Sequence, residues 1–493
     1  MTGDLQAAVS QRGHQPGCDR GLALAGCRRS DHQSGERVRH RPLLPANHVV
    51  QDGTRLRLRC GTVSQPAVSE PAPPGRITVV GIGADGWAGL TESARAAIEG
   101  ADVLVGGERH LAMVPTDDVR KVSWPKPFRD GLRELFTAHR GRCVVVLASG
   151  DPLVSGVGTT LLEVFGRDAV RILPAVSSVA LARARMGWAA EQTDVVSVVG
   201  RNVHRVSRVL APGQRILVLS ADAATPAELC ALLVERGYGR SAVTVLENLG
   251  GDGERTVAGV AAGWAEPPGA ALNVVAVECR IESDVSPLAT VPGLEDDAFE
   301  HDGQLTKRDL RAACLARLVP LPGRLLWDVG AGSGSVAIEW MRVHPANRAV
   351  ALEADPERAE RIRRNAERLG VPDLRVVVGS APGMLGDLPG PPDAVFLGGA
   401  VSKPGVLDGC VAALAPGGRL VAHGVTVQAE SALTGAYATH GGELTRHSIE
   451  RAAPLGGFTG WTPARTVTQW SYCRARDDGV APHGSAAAPR DVA

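Results

Sequence analysis

No stretch of this chain approaches the ~18 consecutive apolar residues of a membrane-spanning helix. Gly21-Leu22-Ala23-Leu24-Ala25-Gly26 is also too short for the apolar core of a signal peptide, so a cytoplasmic protein with no membrane partner is expected. The nine cysteines, at 18, 27, 60, 143, 230, 279, 314, 410 and 473, include no CxxC pair and have no neighbouring histidine cluster. That scatter excludes a disulfide framework and a zinc site of ordinary spacing, and no metal is expected. The formal net charge is 0, so no global basic field recruits nucleic acid, although local patches are still allowed. Lysine supplies only four of the 53 basic residues. Together with abundant Ala, Gly and Val this is the signature of high-GC coding, which makes the arginine count a poor functional signal.

What the chain does contain is a set of glycine turns placed after apolar runs. Leu325-Leu326-Trp327 leads into Asp328-Val329-Gly330-Ala331-Gly332-Ser333-Gly334-Ser335, and the helical pattern Val336-Ala337-Ile338-Glu339-Trp340-Met341 follows. A strand, a glycine turn and a helix form a nucleotide-binding crossover, in which glycine lets the backbone approach a ligand closely. Val350-Ala351-Leu352 then ends in Glu353, an acid placed to accept hydrogen bonds from ribose hydroxyls. Leu374-Arg375-Val376-Val377-Val378 followed by Gly379-Ser380-Ala381-Pro382, Asp393-Ala394-Val395-Phe396-Leu397 followed by Gly398-Gly399, and Arg419-Leu420-Val421 read as further strands of one sheet. The acid ending the first strand, Asp328, is more typical of methyl-donor enzymes than of NAD enzymes, and the pattern resembles a class I methyltransferase.

The first half also alternates apolar runs with helical patterns: Ile77–Gly81, Val103–Val105, Cys143–Leu147, Val170–Leu173, Ile216–Leu219 and Asn273–Val277. Alternation of that kind means an α/β unit. Residues 1–75 show neither periodicity and are expected to be disordered, or to lie upstream of a true start near Arg76. The expected organisation is then 76–283 for a first α/β unit, 284–300 for a linker, 301–475 for a second α/β unit and 476–493 for a disordered tail.

Three turns of the first half, Val80-Gly81-Ile82-Gly83-Ala84-Asp85-Gly86, Leu147-Ala148-Ser149-Gly150-Asp151-Pro152 and Leu173-Pro174-Ala175-Val176-Ser177-Ser178, together resemble the tetrapyrrole methylase family. The resemblance implies a two-lobed α/β domain that binds S-adenosylmethionine between its lobes. It assigns donor contacts to Gly81, Gly83, Ser149, Gly150, Asp151, Val154, Ser177 and Ser178. Asp85 is assigned with them, although its turn departs from the family's Gly-Pro-Gly-Asp. A helix cap at Ser177 and a tight turn at Asp151-Pro152 are the purely structural alternatives.

The segment His301-Asp302-Gly303-Gln304-Leu305-Thr306-Lys307-Arg308-Asp309, taken with Phe396-Leu397-Gly398-Gly399, resembles the decarboxylating precorrin methyltransferase domain. That likeness assigns a second donor site to Thr306, Gly330, Ala331, Gly332, Ser333, Gly334, Glu353 and Ala381. Thr306 also reads as a plain helix N-cap. The expected fold class is therefore α/β, a two-lobed tetrapyrrole methylase domain followed by a Rossmann-like class I methyltransferase domain. The pair in this order implies a cobalamin-pathway enzyme that methylates precorrin-6Y at C5 and C15 and releases the C12 acetate carboxyl as CO2, giving precorrin-8X. Two S-adenosylmethionine sites, one per domain, a tetrapyrrole substrate, no nucleic acid and a homo-oligomer are implied with it. No catalytic residue is named, because a sulfonium already activates its methyl group and the sequence contains no obvious dyad.

Lys307, Arg308 and Arg311 are candidates for pairing with substrate carboxylates, with a solvated helix face as the alternative. His301 and His423 read as surface or hydrogen-bonded residues rather than acid–base groups. Two other readings stay open. An RNA methyltransferase shares the second pattern, against which the neutral charge counts, and a first domain that only binds and delivers the tetrapyrrole is suggested by the altered turn at Ala84-Asp85-Gly86.

Overall fold

In the computed structural model, residues 76–116 and 118–476 are described, and they fall within one compact unit of the chain. The expectations for residues 1–75 and 477–493 lie outside the described residues. The first lobe is a parallel sheet of β1 (Ile77–Ile82), β2 (Val103–Gly106), β3 (Arg120–Ser123), β4 (Val144–Ser149) and β5 (Val170–Leu173), in the order β3-β2-β4-β1-β5. Its helices are α1 (Glu92–Glu99), α2 (Glu108–Ala112), α3 (Phe128–Ala138) and α4 (Val157–Phe165). The central strands read as continuous apolar runs because both faces are covered, and Val79, Val80, Val105 and Val146 are fully buried.

Helix α5 (Ser178–Met186) leads into a second lobe built on β6 (Thr193–Ser197), β7 (Arg215–Leu219), β8 (Ala242–Glu247), β9 (Arg255–Val260) and β10 (Asn273–Glu278), with α6 (Thr225–Glu235) packed on it. This sheet runs β6-β7-β10-β8-β9 and is mixed, with only β6 and β7 parallel. Strands β3, β6, β8 and β9 escape a search for apolar runs. Each is interrupted by polar residues, and β3 and β9 are largely exposed along the sheet edges.

The second half contains α7 (Arg308–Leu318), β11 (Leu325–Val329), α8 (Ser335–Val343), β12 (Arg348–Glu353), α9 (Pro356–Arg368), β13 (Arg375–Val378), β14 (Ala394–Leu397), α10 (Val406–Ala413), β15 (Arg419–Gly424) and α11 (Val427–His440). β16 (Glu443–His447), a hairpin of β17 (Glu450–Leu455) and β18 (Phe458–Pro463), and β19 (Val467–Cys473) complete it. The seven-stranded order is β13-β12-β11-β14-β15-β19-β16, parallel through the first five and antiparallel at β19. The order reverses between β11 and β14, and crevices at such a reversal are where open α/β sheets take ligands.

The stretch expected to be a free linker is fastened down instead. Leu294 and Phe299 are buried in the second core, and Glu339 of α8 accepts hydrogen bonds from Gly293 N at 2.6 Å and Leu294 N at 3.0 Å. Arg342 donates to the carbonyls of Leu288 at 3.0 Å and Ala289 at 3.2 Å. Its proline, glycine and acid content resembles a tether, but two buried charged side chains elsewhere capture its backbone.

Candidate active site

A cavity in the first half and a glycine turn in the second stand at carboxyl ends of parallel strands. The first is a cavity of about 440 Å³ between the two lobes of the first half, within the range of small-molecule sites. Gly83, Ser149, Gly150, Asp151, Val154, Ser177 and Ser178 all line it, so the three sequence turns converge. Gly81 lies behind the wall. A Cβ there would stand 1.9 Å from the Gly150 carbonyl oxygen and 2.6 Å from Ala175 N, so glycine is what allows these turns to meet. Ser177 does cap α5, accepting from Ala180 N at 3.1 Å, and Asp151 holds its own turn by accepting from Leu153 N at 2.8 Å. Both purely structural alternatives are therefore realised in residues that also face the cavity.

Asp85 departs from expectation. It is exposed, is absent from the cavity lining, and its carboxylate is folded back against Gly83 and Gly89. The one-residue displacement in its turn aims the acid along the local turn and away from the lobe interface. Arg109 and His110, which the sequence reading passed over, line the same cavity. Their signal was Gly106-Gly107 at the end of β2, but a basic pair on a five-residue helix reads as ordinary surface.

The second candidate site is built on the turn after β11. Gly330, Gly332 and Gly334 have φ of +72°, +60° and +75°, which glycine adopts without strain. At Gly332 a Cβ would also meet the Gln304 carbonyl oxygen at 2.9 Å, because the 302–306 loop closes over the turn. Thr306 sits on that loop. Its carbonyl accepts from Arg311, and the helix cap falls to Lys307, without a side-chain bond, so Thr306 is not the cap. Glu353 is buried. Its Oε2 accepts from Gly332 N at 2.7 Å and its Oε1 from Asp355 N at 3.1 Å, which ties the end of β12 to the turn after β11. Ala331 flanks the turn, Ser333 is buried with an unpartnered hydroxyl, and Ala381 is buried beside the end of β13.

The three helix cations weighed as partners for substrate carboxylates are engaged in ion pairs of their own. Lys307 and Arg308 pair with Asp296 and Glu295, and Arg311 is fully buried on Glu339. His423 is buried, hydrogen-bonded to Gln469 at 3.0 Å and packed edge-on against Phe396, so burial lowers its basicity to about 4. His301 is exposed and accepts from Gly303 N at 3.1 Å.

Asp328, beneath the glycine turn, is 1% exposed. Burial pushes its carboxyl up to about 8, the Glu353 charge adds to the rise, and the Ala337 N–H opposes it. Its Oδ1 has no partner among the protein groups. With the folded value raised, the unfolded chain ionises first, so this residue's contribution to stability is fully present at acid pH and is lost as pH rises toward 8. Asp328→Asn is expected to remove that loss, worth up to ~1.4 kcal/mol per pH unit. Urea unfolding of both proteins at acid and alkaline pH checks this, and parallel pH profiles would contradict it.

Fold and site geometry together fit an α/β methyltransferase built of two α/β halves. Residues 76–263 match the family described as tetrapyrrole (corrin/porphyrin) methylases, and residues 297–474 match the precorrin methyltransferase domain. A precorrin-6Y C(5,15)-methyltransferase, decarboxylating, from Sinorhizobium sp is 46% identical over 416 residues, which is 83% of this chain and 98% of that one. Its counterpart from Mycobacterium tuberculosis H37Rv is 46% identical over 403 residues, 81% of this chain and 100% of the relative. A crystal structure of the C-terminal domain of precorrin-6Y C5,15-methyltransferase from Rhodobacter capsulatus is 45% identical and covers 38% of this chain and 100% of that one, with a TM-score of 0.36. The chain belongs to the decarboxylating precorrin-6Y C5,15-methyltransferase family. The family matches and the two full-length relatives favour the precorrin reading over RNA methylation.

Proposed function

We propose that the chain converts precorrin-6Y to precorrin-8X, with C5 methylation at the first cleft and C15 methylation plus loss of the C12 acetate carboxyl at the second. The observation that carries this is the match along essentially the whole length of a C(5,15)-methyltransferase relative, with a formed cavity in the first half. The residues fit one S-adenosylmethionine per cleft. In the first, Gly150, Asp151, Val154, Ser177 and Ser178 would hold it, and in the second the Gly330–Gly334 turn, Glu353, Thr306 and Ala381 would do so. When bound, the donor supplies a sulfonium-activated methyl group. The protein's contribution is alignment of a ring carbon behind that methyl group, and positioning of that kind supplies ~7–11 kcal/mol in favourable cases. The C12 carboxylate leaves its electrons to the conjugated ring, which exclusion of water assists.

The test is mass analysis of precorrin-6Y incubated with S-adenosylmethionine and the whole protein. Gain of two methyl groups with loss of one CO2 is expected. An unchanged mass with folded, donor-binding protein would overturn the reading.

A further inference from the structure

We propose that Ser149 and His110 form a relay that takes up the proton released by methyl transfer at the first cleft, with Arg109 orienting both. The proposal rests on the assignment of C5 methylation to that cleft. Ser149 ends β4 and His110 lies on α2, beyond the end of the adjacent β2, so two neighbouring strands deliver them to the same wall. His110 Nε2 is 2.9 Å from Ser149 Oγ, and Arg109 Nη2 is 2.9 Å from His110 Nε2 and 3.0 Å from Ser149 Oγ.

The chemistry of the three groups fixes the direction of these bonds. A guanidinium only donates, so His110 Nε2 and Ser149 Oγ both accept from Arg109. His110 then carries its proton on Nδ1, and the Ser149 hydroxyl hydrogen points at Nε2. Nε2 is thus an unprotonated nitrogen, shared by the Arg109 N–H and the Ser149 hydroxyl, and it can take a proton through that exposed hydroxyl as the Arg109 N–H shifts onto Ser149 Oγ alone. Burial, followed by the charge of Arg109, lowers the ring's basicity to about 4, which keeps it neutral across the physiological range.

Methylating a bridge carbon that bears one hydrogen creates the need for such an acceptor. The ring π pair forms the new C–C bond as the S–CH3 bond breaks and leaves its electrons on sulfur. The C–H pair then returns to the ring, and the proton passes to Ser149 Oγ as the hydroxyl proton moves to His110 Nε2. The ring cation is so strong an acid that a weak base suffices. Facing this pair, the residues from the second sheet, Leu219, Ser220, Leu246, Asn273 and Val274, bring no charge, and the remaining carboxylate on the wall is Asp151, whose Oδ1 is engaged by Leu153 N.

The full chain carrying His110→Gln is tested on substrate deuterated at C5. C5 methylation is expected to slow ~10²-fold or more. A primary isotope effect that the wild type lacks should appear, because proton removal becomes limiting. Donor affinity at the first cleft, measured by calorimetry, and the C15 reaction should stay within about twofold of wild type, which also shows that the variant is folded. Ser149→Ala should reproduce the isotope effect. An unchanged rate, or a slower one without an isotope effect, would overturn the relay. Absence of C5 methylation by the wild-type chain would instead overturn the reading on which the relay rests.

Discussion

Replacing Arg311 by alanine is expected to destabilise the second half by about 3–5 kcal/mol, the cost of leaving a buried charge without its partner. Arg311 is 0% exposed and donates from Nε to Glu339 Oε1 at 2.6 Å. Its Nη atoms reach Asp296 and the carbonyls of Thr306 and Leu294, and its guanidinium lies 4.8 Å from the Phe299 ring centroid. Truncation strands Glu339, which is 2% exposed, and frees the 293–306 segment that closes over the glycine turn. Urea unfolding should show the loss. The double variant Arg311→Met, Glu339→Gln should recover at least half of it, since Gln keeps an acceptor for the backbone without a stranded charge. A loss under about 1 kcal/mol, the scale of an exposed ion pair, would refute the buried-network account.

Glu353→Ala carries the second large effect. The wild-type chain is expected to bind two donor molecules, and the variant should retain normal affinity at only one site. The carboxylate holds Gly332 N, and in the proposed donor site its remaining lone pairs would accept from ligand hydroxyls. Hydrogen bonds to a charged group contribute ~1.5–3 kcal/mol, so the second site should weaken roughly 10- to 100-fold. Titration calorimetry at donor concentrations that saturate the wild type reads this as a stoichiometry of one. Retention of two sites with unchanged affinity would remove Glu353 from the donor site and would favour a scaffold role for neither domain.

Much of this architecture was legible in advance because the strands that matter most are buried on both faces. β1, β4, β11 and β12 are nearly uninterrupted apolar runs, and the glycines after β1 and β11 mark where backbone must come close to backbone or take positive φ. Covered parallel strands force that composition, so it can be read back from it. Edge and antiparallel strands such as β3, β9 and β16 are half exposed, tolerate polar residues and leave no such trace.

The sequence by itself determined the two α/β halves, the turns that line the first cavity, the glycine turn after β11 and the acid at the end of β12. Tertiary structure alone decided where several charged side chains end. Asp85 folds back on its own turn, and Arg311 becomes a buried strut. The stretch before α7 is bound to the second core, and Arg109 with His110 enters the first cavity beside Ser149. The physical reason is that an apolar run records burial, which local composition carries. The partner of a charged or polar side chain is set by residues brought near only when sheets and helices pack.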